Sequence, residues 1–283
     1  MMRGMAWMQP PPRIRAVVFD LWGTLMSERR DTFPVRARLR FERCAPILAK
    51  YGIETTQEEF TKHHQRSNST LARLQEYGRD VSSEERARHV FYQFRPGLAD
   101  HIEEADVAAF AEAYGGVIEH TPPDLLPGVR EALAECQARG LRVGLISNTG
   151  VSGGRHLRRV FEHHEVMGHF DALMFSDEHR RAKPHPGLFQ ATLDALDVTA
   201  AEAVFVGDTP RYDIGPPRRY GWWVVQVGER ADGAPRHMRV SRTSANCSRA
   251  SPGSTSQLNG SGPQVEVEGG FAMLARPRWL TVP

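Results

Sequence analysis

The clearest short-period pattern begins at Ile14, where Ile-Arg-Ala-Val-Val-Phe-Asp forms an almost unbroken apolar run that ends on a carboxylate, Asp20. Closed by the turn residues Gly23-Thr24, it predicts a buried strand that carries Asp20 to its C-terminal edge. From about Phe33 to His120 the apolar spacing lengthens to that of helices, as in Phe110, Tyr114 and Val117. Thr56-x-x-Glu59 and Ser82-x-x-Glu85 read there as N-terminal capping boxes, and the block predicts three to five helices. Beyond Thr121-Pro-Pro the two periods alternate. The pattern predicts a helix opening at Pro127-Gly128 and closed by Gly140, then strands over 141–146, 172–175, 203–206 and 222–227, with helices at 155–165 and from Pro186 between them.

Five β segments separated by helices predict an α/β fold: a doubly wound parallel sheet with helices on both faces and the helical block inserted after the first strand. The expected division is a flexible segment over 1–13, a core over 14–25 and 121–228, a helical cap over 26–120, and a disordered tail over 229–283. Residues 241–263 are rich in Ser, Gly and Pro, the composition of a disordered chain. A Val-Glu-Val-Glu alternation follows them and has no evident place in the fold.

Composition narrows the function classes. The 283 residues are 40% apolar and 25% charged with mean hydropathy −0.45, and no apolar run approaches the roughly 18 residues of a membrane span. A triple proline stands where a secretory signal would have its apolar core, so a cytoplasmic location is expected. Cys44, Cys136 and Cys247 are scattered and lack metal-ligand spacing, which suits structural thiols in a reducing compartment. A net charge of +2 without a basic run interleaved with aromatics predicts no nucleic-acid partner. The sequence leaves the oligomeric state open. Of 36 basic residues 33 are arginine, with lysine only at Lys50, Lys62 and Lys183. A lysine beside candidate chemistry is therefore informative.

In an open parallel sheet, ligands bind beyond the carboxyl ends of the strands. There the sequence offers Asp20-Leu-Trp-Gly-Thr-Leu, Ser147-Asn-Thr-Gly, Lys183-Pro-His-Pro, and Gly207-Asp208 with Asp213 five residues on. Carboxylates, a hydroxyl and an ammonium on one edge suit phosphoryl transfer through an aspartyl nucleophile. A carboxylate attacking phosphate needs a bridging cation and fixed donors for the transferring oxygens. Asp20 and Asp208 could hold Mg²⁺, Lys183 supplies a second positive charge, and Ser147 with nearby backbone N–H groups grips phosphate.

These four ordered motifs, spanning residues 14 to 228, resemble those of the haloacid dehalogenase superfamily of hydrolases with a type 1 helical cap. The resemblance implies that Asp20 is nucleophile and metal ligand, that the Trp22 carbonyl is a further ligand, and that Asp208 with Asp213 completes a Mg²⁺ site. It also implies that Ser147, Asn148 and Lys183 contact a small phosphorylated substrate, with Ser147 and Lys183 acting beside Asp20 in catalysis. Phosphatases of this family usually read Asp-x-Asp, the second acid protonating the leaving group, whereas this chain has Trp22. The proton would then come from water, from His63 or His64 of the cap, or be unneeded with a good leaving group. Trp22 and Ser147-Asn148 also resemble the metal-free 2-haloacid dehalogenases, which makes that reaction the alternative; Gly207-Asp208 with Asp213 matches the metal-binding version instead. A third reading is a catalytically idle phosphate-binding or regulatory protein.

Blander roles stand beside these. Asp213 could cap the segment before Pro216, Ser147 could simply end its strand, and Lys183 could be a surface lysine. His156, His163, His164 and His169 crowd one helix and its exit and read as a solvated face. Trp222 and Trp223 read as core and sheet edge.

Overall fold

Each apolar run of the C-terminal half, together with the first one, becomes a strand. In the computed structural model, which describes residues 13–228, 237–241 and 265–268, the order is β1 (Ala16–Phe19), β2 (Met26–Ser27), α1 (Phe33–Ala49), α2 (Gln57–Glu76), α3 (Ser83–Phe94), α4 (Glu104–Gly115) and β3 (Asp124–Leu125). There follow α5 (Val129–Ala138), β4 (Arg142–Ser147), α6 (Gly154–His163), β5 (Ala172–Phe175), α7 (Ser176–His179), α8 (Pro186–Leu196) and β6 (Ala203–Gly207). The last are α9 (Gly215–Arg219), β7 (Trp223–Gln226), β8 (His237–Ser241) and β9 (Val265–Glu268).

The main sheet runs β5-β4-β1-β6-β7-β8-β9. Its first five strands are parallel, and β1 is central, with Val18 opposite Gly144 on one side and Phe205 on the other. Both faces are covered, as a parallel sheet requires. Phe19, Leu145 and Val206 pack with Leu133, Leu157 and Phe161 on one face; Val18, Phe205 and Trp222 pack with Phe189 and Leu193 on the other.

Two antiparallel strands, β8 and β9, extend the sheet past β7. They correct the expectation of a disordered tail over 229–283 at those residues. The Val-Glu-Val-Glu alternation is the two-residue period of a strand, and its ladder partner β8 lies too far back in the chain for the pattern to name. The remaining tail, and the flexible segment expected over 1–13 apart from Arg13, lie outside the described residues.

Helices α1 to α4 fall between β2 and β3, which pair antiparallel as a separate two-stranded ribbon with Met26 opposite Leu125. This helical insertion has its own apolar cluster, including Leu48, Phe60, Phe91, Phe110 and Tyr114. Ser82 and Glu85 form the full capping box that the spacing predicts. At Thr56 only half of it forms: the hydroxyl accepts from the Glu59 N–H at 3.2 Å, while the Glu59 carboxylate accepts from the Thr55 hydroxyl instead.

Candidate active site

The parallel strands deliver the predicted side chains to one edge. Asp20 follows β1 directly, its N–H still donating to the Val206 carbonyl at 2.8 Å. Its carboxylate is buried, with Oδ1 accepting from Lys183 Nζ at 2.6 Å and Oδ2 from the Thr24 hydroxyl at 3.1 Å. Lys183 Nζ donates also to Asp213 Oδ1 at 2.7 Å. The surface-lysine and cap-only readings of Lys183 and Asp213 are thereby excluded, since both side chains are buried and paired. Asp213 does accept the Thr209 N–H at 3.0 Å through its other oxygen, so one carboxylate orders its own turn and holds the ammonium.

Asp20, Asp208 and Asp213 each offer an oxygen within 4.8 Å of the others. Such an approach needs room. Gly23 sits at φ +76°, and a Cβ there would lie 2.4 Å from Asp208 Oδ2; a Cβ on Gly207 would lie 2.3 Å from the Asp213 Cβ. The turn after β1 and the end of β6 are glycine because carboxylates occupy the space a side chain would fill.

Three acids facing one ammonium leave an excess of negative charge. Burial lifts the Asp20 carboxyl to about 7, with Asp213 and Asp208 adding to the rise and Lys183 opposing it. Asp208 is raised too, chiefly by burial. Burial would by itself lower the Lys183 ammonium, but Asp20 and Asp213 outweigh it and hold it above its usual range. Clustered hard oxygens in a hollow kept open by glycine fit a divalent cation of the Mg²⁺ type.

Ser147, at the end of β4, is fully buried, and its hydroxyl donates a long hydrogen bond to the Asn148 carbonyl at 3.5 Å. Asn148 has a use that spacing did not reveal. Its amide donates to the Lys183 carbonyl at 3.0 Å and accepts from the Lys183 N–H at 2.7 Å, so it clamps the lysine backbone as well as bordering the cavity described next.

A cavity of about 570 Å³ lies between the insertion and the strand ends, bordered by Trp22, Asn148 and Thr149 on one side and by Arg36, Arg40 and His64 on the other. Trp22, two residues after Asp20, borders this cavity and holds the position at which the sequence departs from the expected Asp-x-Asp. His64 reaches this cavity, but burial, with Arg40 and Arg86 nearby, depresses its imidazole to about 3, so it is neutral near pH 7 and does not serve as a cationic acid. His63 does not border the cavity; its ring lies on Phe94 at 4.1 Å. Neither position therefore adds support to the proton-donor expectation.

The solvated histidine face is also corrected at one position. His156 is fully buried and bonds Glu119 Oε1 at 2.7 Å through Nδ1. Its acidic neighbours come from α4 and the turn after it, which is why local spacing did not show them. Glu112 and Glu119 share Arg159 at 2.6 and 3.0 Å, making this group an ion-pair knot between insertion and core.

Sequence reasoning missed Asp80, in the loop between α2 and α3. Its buried carboxylate accepts from Ser176 Oγ at 2.5 Å, Gln75 Nε2 at 2.9 Å and Thr149 Oγ1 at 3.4 Å. It ties the insertion to the loop after β4 and to the first residue of α7. No signal in the sequence marks it, because its partners lie up to 96 residues away.

Comparisons with known proteins agree with this fold. The sequence model of the haloacid dehalogenase-like hydrolase family matches residues 14–221. Hexitol phosphatase B of Escherichia coli (strain K12) is 26% identical over 202 residues, covering 71% of this chain and 78% of the relative. Among solved structures, a HAD phosphatase from Thermococcus onnurineus aligns with TM-score 0.50 at 19% identity, over 78% of this chain and 89% of that one. A 2-haloacid dehalogenase from Pseudomonas syringae pv. Tomato DC3000 aligns with TM-score 0.50 at 22% identity, over 75% and 86%. At these identities the two structures share the fold and do not choose between the reactions.

Proposed function

The chain belongs to the haloacid dehalogenase-like hydrolases, and from that membership we propose that it is a Mg²⁺-dependent phosphatase acting on a small phosphorylated molecule through an aspartyl-phosphate on Asp20. The observation that carries this reading is the convergence of Asp20, Asp208 and Asp213 within 4.8 Å around Lys183. A dehalogenase that draws a carboxylate-bearing haloacid onto one aspartate gains nothing from two further acids beside it; their repulsion opposes binding. A phosphatase needs them to hold its cation.

In this reading one Asp20 oxygen attacks phosphorus, the ester P–O bond breaks, and the alcohol leaves with a proton drawn from solvent. Water then attacks the aspartyl-phosphate, releasing inorganic phosphate and restoring the carboxylate. Lys183 fixes Asp20 and offsets charge on the phosphoryl oxygens, while Ser147 binds one of them. Asp20, Asp208, Asp213 and the Trp22 carbonyl would hold Mg²⁺, which when bound supplies charge neutralisation for the transferring group. Residues 26–120 act as a lid that excludes water from the cavity. We place the activity in the cytoplasm, where the buried free thiols of Cys44 and Cys136 stay reduced. No helix among the described residues is long and apolar enough to cross a membrane.

Trp22 favours a second reading, a phosphate-binding protein that has lost turnover. Hydrolysis of p-nitrophenyl phosphate separates the possibilities. Turnover that requires Mg²⁺ and vanishes in Asp20→Asn supports the phosphatase. Turnover of chloroacetate that survives EDTA establishes the dehalogenase. Stabilisation by phosphate without hydrolysis of either compound establishes the idle protein.

A further inference from the structure

The insertion buries three arginines, and two of them are matched by acids. Arg36 pairs with Glu28 at 2.5 Å and also donates to the Thr121 hydroxyl; Arg86 pairs with Asp80 at 3.3 Å. Arg40 differs. Its Nε donates to the Tyr114 carbonyl at 3.0 Å and its guanidinium carbon stands 5.3 Å from the Tyr114 ring centroid, yet among the described residues no carboxylate lies within 4 Å. Burying a guanidinium without a counter-charge is costly, and a fold retains such a group where something else supplies the charge.

That counterpart has a place to sit. Arg40 borders the cavity that Trp22 and Asn148 border from the strand-end side, and Arg40 is 8% exposed. With Nε committed, the two terminal nitrogens remain for a ligand in the cavity. The other cation on that wall, Arg36, is already neutralised by Glu28. His64, whose Nδ1 is 2.5 Å from the Tyr114 hydroxyl, contributes no positive charge near pH 7. The insertion wall of the cavity therefore carries one unmatched positive charge, presented as a planar pair of N–H donors.

We propose that Arg40 is the receptor for a second oxyanion of the substrate, a carboxylate or a further phosphate, bound by parallel N–H···O bonds while the scissile phosphate meets Asp20. The inference rests on the phosphatase reading for the identity of the first group only. It assigns the substrate to the class of small phosphomonoesters with another ionised end, and it makes Arg40 the residue that selects them. A bidentate guanidinium–oxyanion pair discriminates strongly against a neutral end, because the cation is then left desolvated and unpaired.

The test compares wild type with Arg40→Gln, which keeps an N–H donor while removing the charge, and with Arg40→Lys, which keeps the charge without the fork. Rates are measured on 3-phosphoglycerate against glycerol 3-phosphate for a carboxylate, and on fructose 1,6-bisphosphate against fructose 6-phosphate for a phosphate. Calorimetric titration with malonate reports the oxyanion subsite without turnover. The expected result is that wild type prefers the acidic member of one pair, the pair identifying which oxyanion is bound. That preference falls about 10- to 100-fold in Arg40→Gln, with partial retention in Arg40→Lys, and malonate affinity weakens in parallel. Thermal melting of each variant checks folding. Hydrolysis of neutral and acidic members alike, before and after substitution, overturns the anion subsite and leaves the phosphatase standing. Loss of malonate binding in Arg40→Gln by a protein that hydrolyses no phosphate does the reverse. Malonate binding that is absent from wild type, or unaffected by either substitution, also overturns the subsite.

Discussion

Asn148 and Lys183 exchange two hydrogen bonds across 35 residues, the lysine N–H donating to Asn148 Oδ1 at 2.7 Å and the asparagine amide returning one to the lysine carbonyl at 3.0 Å. A side chain at the end of one strand thus fixes the backbone from which the ammonium reaches Asp20. Asn148→Ala is expected to lower kcat by about 10²-fold, the scale of a misplaced catalytic group, with a small change in melting temperature. Steady-state kinetics beside a melting curve check this; unchanged kcat refutes the positioning role.

In the proposed phosphatase, Trp22 leaves the alcohol-leaving step without a carboxylic acid at that position. Trp22→Asp is expected to raise turnover of alkyl phosphates by about 10² to 10⁴, the usual worth of general acid–base catalysis, and that of aryl phosphates by less. A comparison of glycerol 3-phosphate with p-nitrophenyl phosphate reads the difference, and an equal response of both counts against the missing-acid account.

Gly23→Ala drives a methyl group toward Asp208 and forces a side chain into left-handed backbone, a cost of about 1–2 kcal/mol. The carboxylate must retreat from Asp20. The Mg²⁺ concentration for half-maximal activity is expected to rise about 10- to 100-fold, the range found when groups supporting a metal site are disturbed. Metal titration of the activity measures it.

His64 predicts a pH effect on stability. In the unfolded chain its imidazole takes up a proton near its ordinary value of 6.5, whereas in the folded protein burial delays this to about 3. The unfolded state therefore binds the proton first. Stability from burying the neutral ring is complete above pH 6.5 and is lost as the pH falls toward 3, with a slope of at most about 1.4 kcal/mol per pH unit. Urea midpoints between pH 7 and 4 should fall more steeply for wild type than for His64→Gln; parallel curves refute it.

The strands and the groups at their ends were legible because each apolar run sets a strand and the chemistry follows close behind it, directly for Asp20, Ser147 and Asp208 and within eight residues for Lys183 and Asp213. Asp20, Ser147, Lys183, Asp208 and Asp213 could be named from that pattern alone, although only the coordinates show that Lys183 joins Asp20 to Asp213. Arg40, Asp80 and the His156 knot were not legible. Each has a partner that stands 37 to 96 residues away, and an arginine among 33 carries no mark of being buried or unmatched. The β8–β9 pairing was hidden for a similar reason, since alternation announces a strand without naming its neighbour.

The chain leaves for the helical insertion through β2 and comes back through β3, and these two strands are bonded to each other. Departure and return are therefore a single joint. A helical bundle of another length or shape could be transplanted onto that joint while the parallel strands and their acids stay where they are, so the scaffold can change what it accepts without rebuilding how it reacts.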